Sequence, residues 1–290
     1  MNPTLMAVLA HPDDESLGFG GTLAKYAALG VEVHLVTATR GDAGRYRGIR
    51  PGAPGHPGGP ALGELRVSEL RAAAAALGIR DVSVLDYPDG RLDAVDPQHA
   101  VAAIAGHVRR VRPQVVLTFG PEGAYGHPDH IAISQFTSAA MVAAADPAFT
   151  AGGADGSPAP HAVSKLYYLE WPASTWAAYE AAIGVLTSAV DGVTRQATPW
   201  PDWAITTVID TRAFWPSVAK AIACHDSQVS AYERLTQVSP EHHEALWGNQ
   251  SFYRVFSAAN GGRVREHCLF EGIGGPFSDA RVTYLNCGRL

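Results

Sequence analysis

Apolar residues along the chain follow two alternating spacings, and the alternation predicts the type of fold. Short apolar runs, such as LMAVLA at residues 5–10 and VEVHLVTAT at residues 31–39, are typical of buried strands. Between these runs the apolar residues of SLGFGGTLAKYAALG recur at helical spacing, and Gly30 marks a helix end. The beginning of the chain therefore predicts a strand, a helix and a second strand.

The same alternation continues through most of the chain. Further strands are predicted at VSVLD, QVVLTFG, SKLYYLEW and AITTVID. Further helices are predicted at ELRVSELRAAAAALG, PQHAVAAIAGHVRRV, PDHIAISQFTSAAMVAAA and FWPSVAKAIACH. Strands that alternate with helices in this way predict an α/β fold, in which a mostly parallel, Rossmann-like sheet carries helices on both faces.

Loops and irregular segments set the expected domain organisation. Residues 48–60 and 145–160 are rich in glycine and proline, so we expect surface loops, and neither is long enough to separate domains. The aromatic-rich HHEALWGNQSFYRVF fits neither the helical nor the strand spacing. We therefore expect a single domain over residues 1–290, with a less regular part from about residue 200.

Composition and charge exclude several classes of protein. The formal net charge is -6 and no basic cluster is longer than RRVR, so we expect no nucleic-acid partner. The N-terminus has no basic segment, and no stretch approaches about 18 uninterrupted apolar residues, so we expect a cytoplasmic protein without membrane insertion. Because Cys224, Cys268 and Cys287 lack C-x-x-C spacing, we expect core thiols rather than disulfides or a thiolate zinc site.

Two groups of ionisable residues lie where predicted strands end. HPDDE, residues 11–15, follows the first strand, and YGHPDH, residues 125–130, follows QVVLTFG. Pro128 suits the first turn of a helix that would begin there. The carboxyl ends of parallel strands lie at one edge of the sheet, where α/β proteins bind ligands. We therefore expect the two groups to meet and to form the functional site.

The spacing within each group indicates a metal site. If the chain turns helically after Pro12, His11 and Asp14 face the same way, and so do His127 and His130. Imidazole and carboxylate ligands suit zinc, and two histidines with one carboxylate are an established set for a catalytic zinc ion. Either group alone is better explained by helix capping or by bonds to buried backbone, but two groups at strand ends favour a metal site.

A metal site of this kind predicts hydrolysis. Zinc lowers the pKa of bound water towards about 7 and polarises carbonyl oxygens, but it has no redox chemistry. A carboxylate outside the ligand set, such as Asp13, could then act as a base, and a histidine such as His127 could act as an acid. The expected reaction is the metal-assisted hydrolysis of an amide or ester.

Four motifs together resemble the LmbE-like or PIG-L-like de-N-acetylase family. They are AHPDDE, TATRGDAG, YGHPDH and ACHDSQ, and the resemblance runs from about residue 5 to about residue 228. That family includes deacetylases of N-acetylglucosaminyl conjugates and an amidase of mycothiol conjugates. The resemblance implies a zinc-dependent hydrolase that removes an N-acetyl group from an N-acetylglucosamine-type sugar or sugar conjugate, a small-molecule substrate.

The resemblance also implies roles for residues of the two ionisable groups. His11, Asp14 and His130 match the zinc ligands of the family. Asp13 matches the general base that activates the water, and His127 matches the group that protonates the leaving amine or stabilises the tetrahedral intermediate. Because a set of two histidines and one aspartate does not exclude Fe2+, iron is a second candidate metal.

Other residues have more than one interpretation. Tyr125 would help to hold the developing oxyanion, and Arg66 matches an arginine that contacts the sugar conjugate in some relatives, with a solvated helix face as the alternative. Glu15 is interpreted as a support for the site or a helix-start residue, and His225 of CHDSQ as a structural histidine. Four tryptophans form either a stacking wall or part of the core: Trp171, Trp176, Trp200 and Trp203.

Two alternative functions remain open. The protein could be an amidase that cleaves a larger amide, such as a thiol conjugate or a natural-product intermediate. It could also be a metal-binding or sugar-binding protein without turnover, although such a protein has no need of Asp13 and His127. The aromatic residues of the second half leave room for a homo-oligomer.

Overall fold

A seven-stranded sheet forms the centre of the computed structural model, which describes residues 2–151, 158–185, 187–190, 192–228, 239, 244, 246–262 and 264–273. The strands within this part of the chain are β1 (Thr4–Leu9), β2 (Glu32–Thr39), β3 (Asp81–Tyr87), β4 (Val115–Phe119), β5 (Lys165–Glu170), β6 (Thr187–Val190), β7 (Val193–Gln196), β8 (Thr207–Asp210) and β9 (Asn249–Ser257). β6 and β7 form a separate hairpin.

The order of the strands explains where a site can form. The order is β3-β2-β1-β4-β5-β9-β8. Strands β1 to β5 are parallel, β9 is antiparallel to β5, and β8 is antiparallel to β9. Because the strand order reverses between β1 and β4, a crevice lies at the carboxyl ends of these two strands, and open α/β sheets bind ligands at such positions.

Helices follow most of the strands. The described α-helices are α1 (Asp14–Leu17), α2 (Gly20–Ala28), α3 (Gly59–Leu77), α4 (Pro97–Val111), α5 (Gly123–Gly126), α6 (Pro128–Ala145), α7 (Ala173–Ile183) and α8 (Trp215–Cys224). α2, α3 and α8 pack together, and α4 packs against α6. The predicted α/β fold with a mostly parallel sheet flanked by helices is confirmed.

Burial on both faces explains the apolar sequence of the central strands. All residues of β1 and of β4 are buried. A strand covered by helices on both faces has no solvent side, so it shows a continuous apolar run rather than alternation. The two central strands thus provide a fixed base for the loops that follow them.

Three elements differ from the sequence-based expectation. The predicted first helix is two helices, α1 and α2, and at the break the ring of Phe19 is buried against Phe119 at 5.4 Å between ring centres. α3 begins inside the segment expected to be a loop. β9 occupies much of the segment that fitted neither spacing, because its backbone pairs with β5 on one side and β8 on the other.

The structure tests two further expectations for the described residues, that the cysteines are core thiols and that no helix spans a membrane. Cys268 is buried and Cys224 is partly buried, as expected of core thiols, whereas Cys287 lies outside the described residues. Within the described part of the chain, no helix is both long enough and apolar enough to cross a bilayer.

Candidate active site

The two ionisable groups meet at the carboxyl ends of β1 and β4, as the sequence predicts. HPDDE forms the turn from β1 into α1, and YGHPDH leads from α5 into α6. His127 is the N-cap residue of α6, Pro128 follows in the first turn, and Nδ1 of His127 accepts the N–H of Asp129 at 3.2 Å. His11 and His130 come from different groups, and their ring centres are 5.2 Å apart.

Three buried side chains have the geometry of a metal-ligand set. Nδ1 of His11 lies 3.2 Å from Nε2 of His130. Oδ1 of Asp14 lies 3.3 Å from Nε2 of His130, and its other oxygen, Oδ2, lies 3.7 Å from Nδ1 of His11. Ligand atoms about 2.0–2.1 Å from a tetrahedral zinc ion are separated by about 3.3–3.5 Å. The donor atoms and their spacing therefore fit a zinc ion.

The other ring nitrogen of His11 faces carboxylates. Nε2 lies 3.1 Å from Oδ2 of Asp129 and 3.3 Å from Oδ1 of Asp89. Asp129 is held in turn by the backbone N–H groups of Gly90 and Leu92, at 2.8 and 2.9 Å. A histidine that donates Nε2–H to a carboxylate presents Nδ1 to a metal ion, and the contact fixes the ring orientation. Sequence reasoning missed both aspartates, although Asp129 lies within YGHPDH.

The charge of this cluster suits a cation. Burial acts to lower the pKa of His11, but hydrogen bonds to Asp129 and Asp89 and the charge of Asp14 raise it to about 10. Burial likewise opposes the ionisation of Asp14, but the charges of His130 and His11 hold its pKa well below the usual range. A bound metal ion would supply the positive charge that the proton of His11 otherwise supplies.

Two other groups of three side chains, neither of which includes Asp14, have ligand atoms that all lie within 4.8 Å of one another: His11, His127 and His130, and His11, Asp89 and Asp129. The first group has no carboxylate to balance a divalent charge, and Nδ1 of His127 already accepts a backbone N–H. In the second group, both oxygens of Asp129 already accept backbone N–H groups. These features favour the set of two histidines with Asp14.

Asp13 is held before α1 in an unusual backbone conformation. Its φ is 111°, which is strained for a residue other than glycine. Its Oδ2 accepts a hydrogen bond from Nη2 of Arg66 at 2.9 Å. Arg66 also donates to the carbonyl oxygens of Gly41 and Pro12, and it is only 5% exposed. The alternative of a solvated helix face for Arg66 is therefore wrong, since its guanidinium group fixes the carboxylate of Asp13.

His127 and Tyr125 approach the cluster from the side of α5. The ring centre of His127 lies 4.8 Å from those of His11 and His130. Burial and the charges of His11 and His130 lower the pKa of His127 to about 4, so its ring is neutral near pH 7. Because Nδ1 accepts a backbone N–H, the neutral ring carries its proton on Nε2. Burial and nearby carboxylates raise the pKa of Tyr125, which keeps its hydroxyl group protonated.

A buried ion pair supports the backbone of Asp13. Oε2 of Glu15 accepts the N–H of Asp13 at 2.9 Å, and Oε1 lies 2.7 Å from Nε2 of His225. Both side chains of the pair are fully buried. Burial acts to lower the pKa of His225, but the charge and the hydrogen bond of Glu15 raise it. Glu15 thus supports the site, and His225 does so through Glu15, a link that no local pattern reveals.

The rest of the CHDSQ motif ties the site to the loop before α3. The N–H and hydroxyl groups of Ser227 donate to Glu69 of α3, at 2.7 and 2.6 Å. The side-chain amide of Gln228 donates to the carbonyl oxygen of Arg45 at 2.8 Å. The motif therefore holds α3 and the preceding loop in position around Asp13.

A cavity of about 480 Å³ opens beside the cluster. Among the four tryptophans considered for a stacking wall, Trp171 lines this cavity. Trp176 is buried and its ring lies 5.9 Å from that of Trp171. Trp200 packs against Tyr253 at 5.3 Å, and Trp203 is 76% exposed. A wall built from all four tryptophans is therefore wrong.

Comparisons with known proteins found a matching family model and similar proteins of named activity. A family model described as PIG-L, GlcNAc-PI de-N-acetylase, matches residues 6–141. A 1D-myo-inositol 2-acetamido-2-deoxy-alpha-D-glucopyranoside deacetylase of Kineococcus radiotolerans is 34% identical over 307 residues, which cover 93% of this chain and 82% of the relative. The chain belongs to the PIG-L family.

Two solved structures resemble this PIG-L family chain. An N,N'-diacetylchitobiose deacetylase from Pyrococcus horikoshii has a TM-score of 0.64 at 19% identity, covering 87% of this chain and 83% of that one. The 4-carboxy-2-hydroxymuconate hydratase GalB from Pseudomonas putida KT2440 has a TM-score of 0.62 at 20% identity, covering 90% and 99%. Because a deacetylase and a hydratase share the fold, the reaction must be argued from residues.

Replacing Gly41, which packs against the side chain of Arg66, tests whether Arg66 positions Asp13 in this PIG-L family site. Gly41 has a φ of +67°, and a methyl group added there would overlap the guanidinium group of Arg66. We expect Gly41→Ala to displace Arg66 from Asp13 and to lower kcat by about a hundredfold, because small misplacements of reacting groups are costly.

Gly52→Ala is the matched control for this change. Gly52 has a φ of +78°, but an added methyl group would meet nothing within 4 Å. Both variants bear the cost of a left-handed backbone, and Gly41→Ala should lose further stability in urea unfolding because the buried hydrogen bonds of Arg66 are disturbed. Under conditions in which both variants are folded, kcat should fall in Gly41→Ala alone. Equal kcat values in the two variants would contradict the role of Arg66.

Proposed function

We propose that this chain is a metal-dependent hydrolase that removes the acetyl group from an N-acetylglucosamine-type sugar conjugate. The observation that carries the proposal is the convergence of the donor atoms of His11, Asp14 and His130 beside the carboxylate of Asp13. The deacetylase name of the relative from Kineococcus radiotolerans supports the same reaction and a sugar conjugate as the substrate.

The ligand set in this proposal is His11, Asp14 and His130. Zinc fits their donor types and spacing, and Fe2+ fits the same donor types. Such an ion supplies Lewis acidity, which polarises the amide carbonyl group and makes a nearby water molecule more acidic.

The remaining residues move and hold protons around the scissile amide. Asp13 takes a proton from the attacking water and returns it to the nitrogen of the leaving amine, so that water and amide give acetate and a free amine. Arg66 and Glu15 keep the side chain and the backbone of Asp13 in place. Nε2–H of His127 and the hydroxyl group of Tyr125 donate hydrogen bonds to the developing oxyanion.

The lowered pKa of His127 supports one of the two roles considered for this residue. With a pKa of about 4, its ring has no extra proton to give to the amine near pH 7, but its neutral form still donates a hydrogen bond. Stabilising the tetrahedral intermediate is therefore the role we propose for this residue.

The direct test is acetate release by protein freed of metal and then reloaded with one equivalent of Zn2+ or, under anaerobic conditions, Fe2+. The substrates are N-acetylglucosamine and its conjugate with myo-inositol, the compound named for the relatives. We expect acetate only from metal-loaded protein and faster release from the conjugate. No acetate from either substrate with metal bound would contradict the proposal, and release of a longer acid from a larger amide would support the amidase alternative.

A further inference from the structure

Two carboxyl groups meet where β4 and β5 end. Glu170 is the last residue of β5, and Glu122 is the N-cap residue of α5, shortly after β4. Gly120 lies beside both side chains: a methyl group added there would overlap Oε1 of Glu170 and would lie 2.8 Å from Oε2 of Glu122. The missing side chain at Gly120 therefore leaves a space that the two carboxyl groups share.

No cation balances this pair. Glu170 is only 3% exposed, and among the described residues no lysine, arginine or histidine forms an ion pair with Glu170 or Glu122. Two other charged side chains lie in this region and both are exposed: Glu244, which lines a cavity with Glu170, and Arg195 of β7, which packs on Gly126.

The two carboxyl groups therefore share a proton. No N–H or hydroxyl group of the described residues donates to the buried Oε1 of Glu170, so the carboxyl group of Glu122 is its hydrogen-bond partner. Such a bond requires one protonated carboxyl group, because an ionised carboxylate only accepts. Burial and the neighbouring Glu122 raise the pKa of Glu170 to about 11, which assigns the proton to Glu170.

The segment that begins at Glu122 has a strained backbone. Inside α5, Ala124 has a φ of 63° and a ψ of -76°, an unfavourable conformation for a residue other than glycine. Such a conformation persists only where surrounding contacts enforce it. The next residue is Tyr125, and His127 ends the segment, so the strain lies beside both proposed oxyanion donors.

Glu122 is linked to both ends of this segment. Its carbonyl oxygen accepts the N–H of Gly126, the residue before His127, at 3.2 Å. The N–H of Gly123 donates to the carbonyl oxygen of Gly120 at 3.0 Å. A side-chain bond that fixes Glu122 to the end of β5 therefore restrains the whole segment.

We propose that Glu170 is a positioning residue, which donates a hydrogen bond to the carboxylate of Glu122 and thereby holds Tyr125 and His127 in place to stabilise the oxyanion. The proposal rests on the proposed function, which assigns the oxyanion to these two donors. Their hydrogen bonds strengthen as the oxyanion develops, so a loss of position lowers kcat and leaves KM nearly unchanged.

The test compares two changes of Glu170, with the myo-inositol conjugate of N-acetylglucosamine as substrate and zinc-loaded, folded protein. Glu170→Leu keeps an apolar side chain of similar length but removes the donor, so kcat should fall about tenfold, because small misplacements of reacting groups are costly. Glu170→Gln should stay within about twofold of wild type, because its amide N–H still donates to Glu122. Equal losses in the two variants would show that the hydrogen bond is not what matters.

A pair of glycine variants repeats the test without changing a carboxyl group. An added methyl group in Gly120→Ala would displace the carboxyl group of Glu170, and kcat should fall about tenfold for the same reason. In Gly261→Ala the methyl group would meet nothing within 4 Å, and neither glycine has a left-handed φ. Gly261→Ala is therefore the matched control and should keep the wild-type kcat.

Two measurements do not depend on turnover. The infrared absorption of a protonated carboxyl group at pH 8 should be present in the wild type and lost in Glu170→Gln. The backbone N–H of Gly126 should exchange with solvent about tenfold faster in Glu170→Leu, but not in Glu170→Gln, because the segment opens more often.

These measurements separate the two ways to fail. If the wild type releases no acetate, the proposed function fails for this substrate, whereas the infrared and exchange results still decide whether Glu170 holds the segment. Wild-type exchange at Gly126 in Glu170→Leu, together with a kcat within about twofold of wild type, overturns the positioning role.

Discussion

Asp13→Asn is expected to lower kcat for amide hydrolysis by about a thousandfold while the metal ion stays bound. The amide group cannot take a proton from water, but its oxygen still accepts the hydrogen bond that Arg66 donates to the wild-type carboxylate. Asp13 is not in the proposed ligand set, so zinc content should be unchanged. The change thus separates the base from the metal site.

The measurement is kcat from acetate release, with zinc content determined on the same preparation. Asp93→Asn, at an exposed carboxylate outside the cavity, is the matched control and should keep wild-type activity. If Asp13→Asn retains turnover within a few fold of wild type, Asp13 is not the base. Loss of zinc together with activity would instead indicate that Asp13 takes part in metal binding.

His225→Ala is expected to lower the free energy of unfolding by about 3–5 kcal/mol, because it leaves the carboxylate of Glu15 buried without its partner. Glu15 accepts the N–H of Asp13, so kcat of the folded variant should fall as well. Combining His225→Ala with Glu15→Gln removes the unpaired charge and should recover part of the lost stability. Urea unfolding of the two single variants and the double variant forms the cycle that measures this coupling.

The pH dependence of this pair has a defined sign. The pKa of His225 is raised in the folded protein, so the contribution of the pair is complete below about pH 6.5, the value of an unperturbed histidine, and declines as pH rises through the folded value. The stability difference between wild type and His225→Ala should therefore be larger at pH 6 than at pH 9. His99→Ala, at an exposed histidine on α4, is the control and should stay within about 0.5 kcal/mol of wild type. A difference that grows with pH would refute the ion pair.

Local features of the sequence determined the elements on which the site is built. The apolar run of β1 and the proline at the start of α6 depend on interactions within a few residues, so each could be predicted. HPDDE and YGHPDH could be placed at strand ends for the same reason. Their meeting could also be predicted, because the carboxyl ends of parallel strands lie at one edge of the sheet.

Contacts between distant positions were decided only by the tertiary structure. Arg66 reaches Asp13 across 53 positions and His225 reaches Glu15 across 210, once α3 and α8 have packed beside α1. β9 is a strand because β5 and β8 both offer it backbone partners. Side-chain periodicity reports which face of an element is buried, but not which distant side chain it meets there. The sequence by itself therefore determined the fold class, the family and the candidate metal ligands, whereas the supports of Asp13 and the contact between Glu170 and Glu122 required the packed structure.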